Sequence, residues 1–406
     1  MSMPPVPTTF EAFAAFHSDT LRRARTQSSW ASAVADATGL GSIALRTPIG
    51  TVTWSCDAVA GFSAEVGALD SAANADALVE VATDAWWGLM HDYETMPGLL
   101  YGGKGTLVSG KPGRVLRWEA PLRAILHDIP IFDPEAIDLR DVDGTPLDVS
   151  RLFAVDEILH DPTSARHFLK SAGFMAVRGV FSDEEVAAFQ ADVAQLEAEA
   201  AEGDQASWWG KDVSGKPVLT RVLRGSTRPA LRALVDDSRV RAIVDCFGEH
   251  MVVPNPDDLD GVTVIYKRSE MVEGLADLPW HRDCGMGGHA HMCPCVVMSI
   301  YVSEGNAATG ELRVLPGSHR TSAPFIDERT GGNLGIGVPM NPGDVSVHIT
   351  DVMHASMPPT SVAGPHRVAV LLGFTRPISH THDDGLRHYN DALLGSDDGQ
   401  ISRLGG

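Results

Sequence analysis

From about residue 261, the chain changes to short runs of β-branched and aromatic residues that are separated by turn residues. Five such runs are Val262 to Lys267, Val296 to Val302, Leu312 to Leu315, Val345 to Ile349 and Val368 to Phe374. Many short strands at this spacing are typical of a β-sandwich or a β-barrel. The sequence therefore predicts a β-rich core for this part of the chain.

A helix with a clear start precedes these strands. Ser182 and Glu185 have the spacing of a capping box, in which each side chain binds the backbone N–H of the other residue. The apolar residues that follow recur at steps of three and four, and they are Val186, Phe189, Val193 and Leu196. This stripe predicts an amphipathic helix in a structural unit that begins near residue 151.

The segment from about residue 10 to 125 has the pattern of a separate α+β unit. Its predicted helices are Phe10 to Ala24, a helix with the stripe Leu78, Val81, Ala82, Ala85, Trp86, Leu89 and Met90, and a short helix from Pro121 to Leu126. Its predicted strands are Ser42 to Leu45, Thr51 to Trp54, Phe62 to Gly67 and Thr106 to Val108. Asn74 or Asp76 is the expected cap of the second helix.

A chain of 406 residues is longer than one typical domain. Residues 127–150 are rich in Asp and Pro and have no sustained period, which is typical of a linker. We therefore expect three parts: a smaller α+β domain at 1–126, a linker at 127–150, and a β-rich domain at 151–406.

Charge and cysteine content exclude several classes of partner. The formal net charge of −21 disfavours binding to nucleic acid and to anionic membranes. No apolar run approaches the roughly 20 residues of a membrane span, and the first ten residues have no secretory pattern. The cysteines, an odd number, favour reduced thiols and a cytoplasmic location, and they are Cys56, Cys246, Cys284, Cys293 and Cys295. This composition is also compatible with a homo-oligomer.

Three residues form a candidate metal site. On a strand, alternate side chains share a face, so His281 and Asp283 can point to one spot while Arg282 points away. His354, which lies 73 positions after His281, can complete the set from a neighbouring strand. Two imidazoles and one carboxylate occupy one face of a metal and leave the other face open, which suits a non-haem Fe(II) oxygenase.

Residues of about 155–376 resemble the phytanoyl-CoA dioxygenase family of iron- and 2-oxoglutarate-dependent oxygenases. The matching motifs are Phe174 to Val180, Trp280 to Asp283, Gly310 to Leu312, Pro316 to Arg320, Gly343-Asp344, His354, Ser356 and Arg367. The resemblance implies a double-stranded β-helix, which is a jelly-roll or cupin-like fold. It also implies Fe(II), 2-oxoglutarate and O2, and oxidation or hydroxylation of a C–H bond with release of succinate and CO2.

The same resemblance implies roles for three further residues. Arg367 would bind the distal carboxylate of 2-oxoglutarate through its two-pronged guanidinium, with Arg376 as the alternative. Ser356 could hydrogen-bond the same carboxylate, and Lys267 could contact the co-substrate. Alternatively, Ser356 is only a buried hydroxyl, and Lys267 is only a solvated lysine. A carboxylate at Asp283, where related halogenases have a small residue, favours hydroxylation.

Three further residues with possible donor groups are not expected to bind this metal. His319 lies in a turn motif and is expected to be structural, while Asp344 is expected to set the turn at Gly343 and His348 not to bind metal. A run of alternating donors has two interpretations, a zinc-like site or a loop over the active-site mouth. This run is His289, His291, Cys293 and Cys295.

The first unit resembles the sterol-carrier-protein lipid-binding fold. The residues that carry this resemblance are Ile49 to Val52, Phe62 to Gly67, Trp86 to Leu89 and Gly105 to Gly110. It implies an apolar cavity, and hence a hydrophobic small-molecule substrate that is lipid-, sterol- or acyl-linked. Alternatively, the unit is a vestigial fold that serves dimer contacts.

Trp208 and Trp209 lie in a stretch without a period, where they form either a lid over an apolar substrate or ordinary packing.

Two functions from other classes compete with the oxygenase. One is a non-catalytic lipid carrier or sensor, and the other is a cupin-like isomerase or hydrolase that uses a different ion and no 2-oxoglutarate.

Overall fold

The computed structural model describes residues 4–69, 71, 74–101, 103–259, 261–273, 277–283, 295–324, 326 and 334–377. The helices of its first part are α1 (Phe10–Ala24), α2 (Trp30–Ala37), α3 (Thr83–Met90), α4 (Met96–Tyr101), α5 (Pro112–Arg117) and α6 (Glu119–His127). The strands are β1 (Ile43–Thr47), β2 (Gly50–Asp57), β3 (Gly61–Gly67), β4 (Ala77–Val81) and β5 (Gly105–Ser109). They form one sheet in the order β3-β2-β1-β4-β5, in which only β1 and β4 are parallel.

Most predicted elements of this part are confirmed. Helix α1 has the predicted bounds, and its N-cap Thr9 accepts a hydrogen bond from the backbone N–H of Ala12. The predicted hairpin joins β1 to β2 through a two-residue turn. The predicted helix at Pro121 is also present, but it begins at Glu119.

The helix predicted from Leu78 onward is wrong in its first half. Leu78 to Val81 belong to strand β4, and the helix begins only at Thr83. Strand β4 lies between β1 and β5, and Ala77, Leu78 and Val79 are all buried although they alternate between its two faces; only Glu80 is exposed. This run of apolar residues therefore cannot be distinguished from a helical stripe by period alone. Asp76 is not a helix cap, because its carboxylate accepts hydrogen bonds from the backbone N–H and the hydroxyl of Ser42.

The core of the first part contains a histidine inside an aromatic cluster. His17 is fully buried, with its ring centroid 4.8 Å from that of Phe13 and 5.5 Å from those of Trp54 and Trp86. Neither of its ring nitrogens has a hydrogen-bond partner among the described residues. Because burial penalises the charged imidazolium, the pKa of His17 is lowered to about 3.

Residues 128–151, all of which are described, contain turns and isolated bridges but no helix or strand. They pack against the part that follows. The backbone N–H of Phe132 donates to the carbonyl of Ser322, and the N–H of Ser322 donates to the carbonyl of Pro130.

The second part contains five α-helices and thirteen strands in its described ranges. The helices are α7 (Val155–His160), α8 (Thr163–Ala172), α9 (Asp183–Glu199), α10 (Pro229–Ala233) and α11 (Ser238–Asp245). The first strands are β6 (Leu152–Ala154), β7 (Phe174–Arg178), β8 (Ser207–Asp212), β9 (Pro217–Val222), β10 (Thr263–Tyr266), β11 (Met271–Glu273) and β12 (Leu278–His281). The others are β13 (Cys295–Tyr301), β14 (Leu312–Val314), β15 (Ile336–Val338), β16 (Val345–Ile349), β17 (His354–Ser356) and β18 (Val368–Thr375).

These strands form two sheets. The larger has the order β11-β8-β9-β10-β18-β13-β16-β7-β6, and the smaller has the order β12-β17-β14-β15. All neighbours are antiparallel except β6 and β7, and this arrangement fits the predicted jelly-roll core. The five predicted β-rich runs are confirmed as β10, β13, β14, β16 and β18.

Helix α9 and strand β8 agree with the predictions from the sequence. The predicted capping box is present, because the Glu185 carboxylate accepts from the Ser182 backbone N–H at 2.8 Å and the Ser182 hydroxyl accepts from the Glu185 N–H. Trp208 and Trp209 lie on β8, where Trp208 is buried, in agreement with the packing alternative. Within the described residues, no helix is both long and apolar enough to cross a membrane.

The buried His17 predicts an acid sensitivity of the first part. The unfolded chain binds a proton at His17 below its ordinary pKa of 6.5, whereas the folded chain does not bind it until about pH 3. Stability is therefore lost as the pH falls from 6.5 towards 3, by up to about 1.4 kcal/mol per pH unit from this group alone. We expect His17→Phe to flatten the pH dependence of the unfolding free energy, measured by denaturant titration with tryptophan fluorescence. Equal slopes for His17→Phe and the parent protein between pH 6.5 and 4 would contradict the assignment.

Candidate metal centre

Two neighbouring strands bring the predicted histidines face to face. In the smaller sheet β12 pairs with β17, and His281 lies directly opposite His354 in the register. Their ring centroids are 4.2 Å apart. The residues that precede them, Trp280 and Met353, are buried in one hydrophobic cluster on the other face of the strands. This cluster fixes which way each strand faces, so both imidazoles project to the same side.

Asp283 completes the set. Its Oδ1 is 3.3 Å from His281 Nε2 and 3.6 Å from His354 Nε2. One donor atom from each residue lies within 4.8 Å of the other two. Ligands at about 2.1 Å from one ion in octahedral geometry are separated by about 3 Å, so these three can meet at a single metal with small adjustments.

Hydrogen bonds set the tautomer of each imidazole. His281 Nδ1 lies 2.7 Å from the carbonyl of Pro279, and His354 Nδ1 lies 3.0 Å from the carbonyl of Val352. Since a carbonyl can only accept, Nδ1 carries a proton in both rings, and Nε2 is the ring atom that faces Asp283 and is left to bind a metal. A metal-binding histidine requires this arrangement.

The electrostatics of the site favour the metal-binding forms of His354 and Asp283, but not of His281. Burial opposes the charged form of His281, yet its hydrogen bond to Asp283 and the charge of that carboxylate raise its pKa. Burial, together with the positive charges of His348 and His281, holds the pKa of His354 well below its ordinary value. Burial works against ionisation of Asp283, but His354, His281 and His348 hold the pKa of this carboxyl well below its ordinary value. A neutral imidazole and an ionised carboxylate are the forms that bind a metal.

The three residues predicted to contact the co-substrate meet around Ser356, two positions after His354. The Arg367 side chain is 3% exposed, and its Nη2 donates to Ser356 Oγ at 2.7 Å. Its Nε has no hydrogen-bond partner, and no carboxylate pairs with it, among the described residues. Because buried charges are normally paired, this guanidinium is suited to an incoming anion.

Lys267 is buried beside this guanidinium rather than solvated. It is 1% exposed, and its Nζ donates to Asp277 Oδ1 at 2.5 Å and to the Ser356 carbonyl at 2.6 Å. Burial and the charge of Arg367, opposed by the carboxylate of Asp277, lower the pKa of Lys267 to about 7. A buried amine that is paired with Asp277 thus lies next to Arg367.

The family of this segment follows from its sequence and its geometry together. Residues 169–367 match the family model described as phytanoyl-CoA dioxygenase. Residues 169–367 are a phytanoyl-CoA dioxygenase domain within a longer chain. The match spans both histidines, Asp283 and Arg367, and with the donor set it supports the predicted iron(II), O2 and 2-oxoglutarate.

Solved structures also match about half of this chain. EvdMO1 is 25% identical with a TM-score of 0.42, over 53% of this chain and 50% of its own, so this chain spans half the length of EvdMO1. AviO1 from Streptomyces viridochromogenes Tue57 is 23% identical with a TM-score of 0.42, over 54% of this chain and 96% of its own. EctD from S. alaskensis, solved with 2-oxoglutarate and 5-hydroxyectoine, is 20% identical with a TM-score of 0.40, over 52% and 74%. A search of curated proteins found no significant match.

A third histidine of the dioxygenase domain contacts the metal-binding set, and sequence reasoning missed this contact. His348 on β16 is buried, with Nε2 3.2 Å from Asp283 Oδ2 and its ring 4.2 Å from that of His354. Ser346 and His348 are the polar residues on one face of an otherwise apolar strand, which was the available signal. His348 binds the carboxylate oxygen that does not face the other two histidines.

The remaining candidates lie in other positions. Arg376 follows β18 at its opposite end and forms an ion pair with Glu249, so it does not share the environment of Arg367. His319 Nε2 lies 3.0 Å from the carbonyl of Lys170, in agreement with a structural role. The Asp344 carboxylate accepts from two backbone N–H groups and sets the turn at Gly343, as predicted. His289, His291 and Cys293 lie outside the described residues.

The contact of His348 with Asp283 predicts an effect on metal affinity. His348→Leu removes the hydrogen bond that orients the carboxylate, and loss of such supporting contacts typically weakens metal binding 10–100-fold. Calorimetric titration with Co(II), as a stable substitute for Fe(II), measures this. His167→Leu, which changes a histidine on α8 away from the triad, is the control and should bind as the parent does. Equal Co(II) affinity in His348→Leu would show that Asp283 needs no support from His348.

Proposed function

We propose that the protein is an Fe(II)- and 2-oxoglutarate-dependent dioxygenase that hydroxylates a C–H bond of a hydrophobic small molecule, with release of succinate and CO2. The observation that carries the proposal is the meeting of His281, Asp283 and His354 near Arg367, a buried guanidinium with no carboxylate partner among the described residues. The dioxygenase family match over residues 169–367 supports it.

In this proposal, His281, Asp283 and His354 hold the iron through two nitrogens and one oxygen. The donor set fits Fe(II), because imidazole and carboxylate leave the opposite face of the ion open to small ligands. Iron(II), with 2-oxoglutarate and O2, supplies the oxidising power for attack on the C–H bond. The protein contributes the position of each ligand and a site from which water is excluded.

Arg367 would bind the distal carboxylate of 2-oxoglutarate through a charge-assisted hydrogen-bond pair. Ser356 already accepts a hydrogen bond from Arg367, so its hydroxyl proton can be donated to the same carboxylate. Lys267 is paired with Asp277, and its contact with the Ser356 carbonyl holds β17 in place. The buried guanidinium of Arg367 favours an anionic co-substrate over a neutral ligand.

A cupin-like metalloenzyme that does not use 2-oxoglutarate would leave Arg367 without an anion. A lipid carrier without chemistry would leave the three converging metal donors without a use. Both observations favour the oxygenase over these two alternatives.

The substrate class rests on the first unit, residues 1–126 in the domain division that we propose. Its resemblance to the sterol-carrier-protein fold favours a lipid-, sterol- or acyl-linked compound. We also propose a cytoplasmic location, where reducing conditions would keep both the iron and the thiols reduced.

His354→Ala tests the metal assignment. We expect the variant to lose Fe(II)-dependent conversion of 2-oxoglutarate to succinate, because two remaining ligands cannot hold the ion in place. Circular dichroism should show an intact fold, and His167→Ala is the control that should keep full activity. Succinate formation at the parent rate in folded His354→Ala would refute the metal site.

Arg367→Ala tests the co-substrate assignment. Loss of hydrogen bonds to a charged carboxylate, worth about 1.5–3 kcal/mol, should raise the KM for 2-oxoglutarate about 10–100-fold. The matched control is Arg376→Ala, which removes a guanidinium from the opposite end of the same strand and should leave this KM unchanged. A raised KM in Arg376→Ala together with an unchanged KM in Arg367→Ala would instead assign the 2-oxoglutarate carboxylate to Arg376.

A further inference from the structure

The side chain between the two metal ligands of β12 is anchored outside the dioxygenase domain. Arg282 lies between His281 and Asp283, so its side chain points away from the metal side. Its Nη2 donates to Glu119 Oε1 at 2.7 Å, and Glu119 is the first residue of α6 in the first unit. The two side chains are only 6% and 8% exposed. A buried ion pair thus joins the first unit to the centre of the ligand segment.

Glu119 is itself held firmly. Its second carboxylate oxygen, Oε2, accepts from the backbone N–H of Met96 at 2.7 Å, where α4 begins. Both oxygens are therefore used, one within the first unit and one across to Arg282. Because both oxygens of its carboxylate are bonded, Glu119 holds the guanidinium of Arg282 in place.

The same helix contacts the segment that supports the other histidine. The carbonyl of Ala120 accepts from the Ser322 hydroxyl at 2.9 Å. One turn further on, Arg123 donates to the carbonyl of Thr321 at 3.2 Å while it pairs with Asp92 at 2.9 Å. Glu119, Ala120 and Arg123 thus place one helix against two separate segments of the dioxygenase domain.

This second contact continues to His354 by hydrogen bonds. The Thr321 hydroxyl donates to the carbonyl of Ser318, and the Ser318 hydroxyl accepts from the backbone N–H of Met353 at 2.8 Å. Met353 directly precedes His354. Both ligand-bearing segments are therefore connected to α6 through buried polar contacts.

We propose that Glu119 is a positioning residue of the metal centre, and that the first unit is a structural part of the active site through helix α6. This inference rests on the proposed metal site at His281, Asp283 and His354. Removing one partner of a buried ion pair leaves the other charge uncompensated, so Arg282 would have to move towards water. Because ligands must be held within about 0.5 Å of their working positions, that movement would displace His281 and Asp283.

Full-length Glu119→Ala and Glu119→Gln test the inference by Co(II) titration, which reports both affinity and the visible spectrum of the bound ion. We expect Glu119→Ala to weaken Co(II) binding at least 10-fold and to change the spectrum, as for other contacts that orient ligands. Glu119→Gln should lie between it and the parent, because an amide oxygen can still accept from Arg282.

Asp204→Ala is the matched control, since it removes an ion pair with Arg224 inside the dioxygenase domain. It should lower the melting temperature without changing the Co(II) affinity. The inference is overturned if folded Glu119→Ala keeps the parent affinity and spectrum, or if Asp204→Ala loses the same affinity for the same loss in melting temperature. If Glu119→Ala does not fold, parent affinity in Glu119→Gln overturns it instead. Failure of the parent protein to bind Co(II) would refute the metal site itself.

Discussion

The pairing of β12 with β17 is the contact on which the rest of the site depends. It places His281 opposite His354, and the short β17 then supplies Ser356 to Arg367 and Lys267 two residues later. A shift of this register by one residue would turn each of these side chains to the other face. The metal donors and the cationic pocket are therefore set by one antiparallel pair of strands.

Buried charge is the second constraint. The dioxygenase domain buries Arg367, Lys267 and Arg282, which is unfavourable unless each cation finds an anion. Lys267 has Asp277 and Arg282 has Glu119, whereas Arg367 has a hydroxyl. Lys267 and Arg282 therefore stabilise the structure, whereas Arg367 is available to a ligand. For this reason we assign the carboxylate of 2-oxoglutarate to Arg367.

The sequence predicted those features that depend on interactions between residues close together in the chain. The alternation of His281 and Asp283, the capping box at Ser182 and the bounds of α1 all depend on neighbours within a few residues, and the structure contains them. The helix predicted from Leu78 is wrong because three successive buried residues, Ala77 to Val79, hide the alternation expected of a strand. The Glu119–Arg282 pair spans 163 positions, and the contact of His348 with Asp283 spans 65, so no spacing rule could reveal either of them.

An anaerobic crystal structure with Fe(II) and 2-oxoglutarate tests the central claim most directly. We expect one iron at about 2.0–2.2 Å from His281 Nε2, His354 Nε2 and an oxygen of Asp283, with the co-substrate reaching from the metal to Arg367. Iron bound by a fourth protein ligand that closes its open face, or 2-oxoglutarate bound away from Arg367, would contradict it.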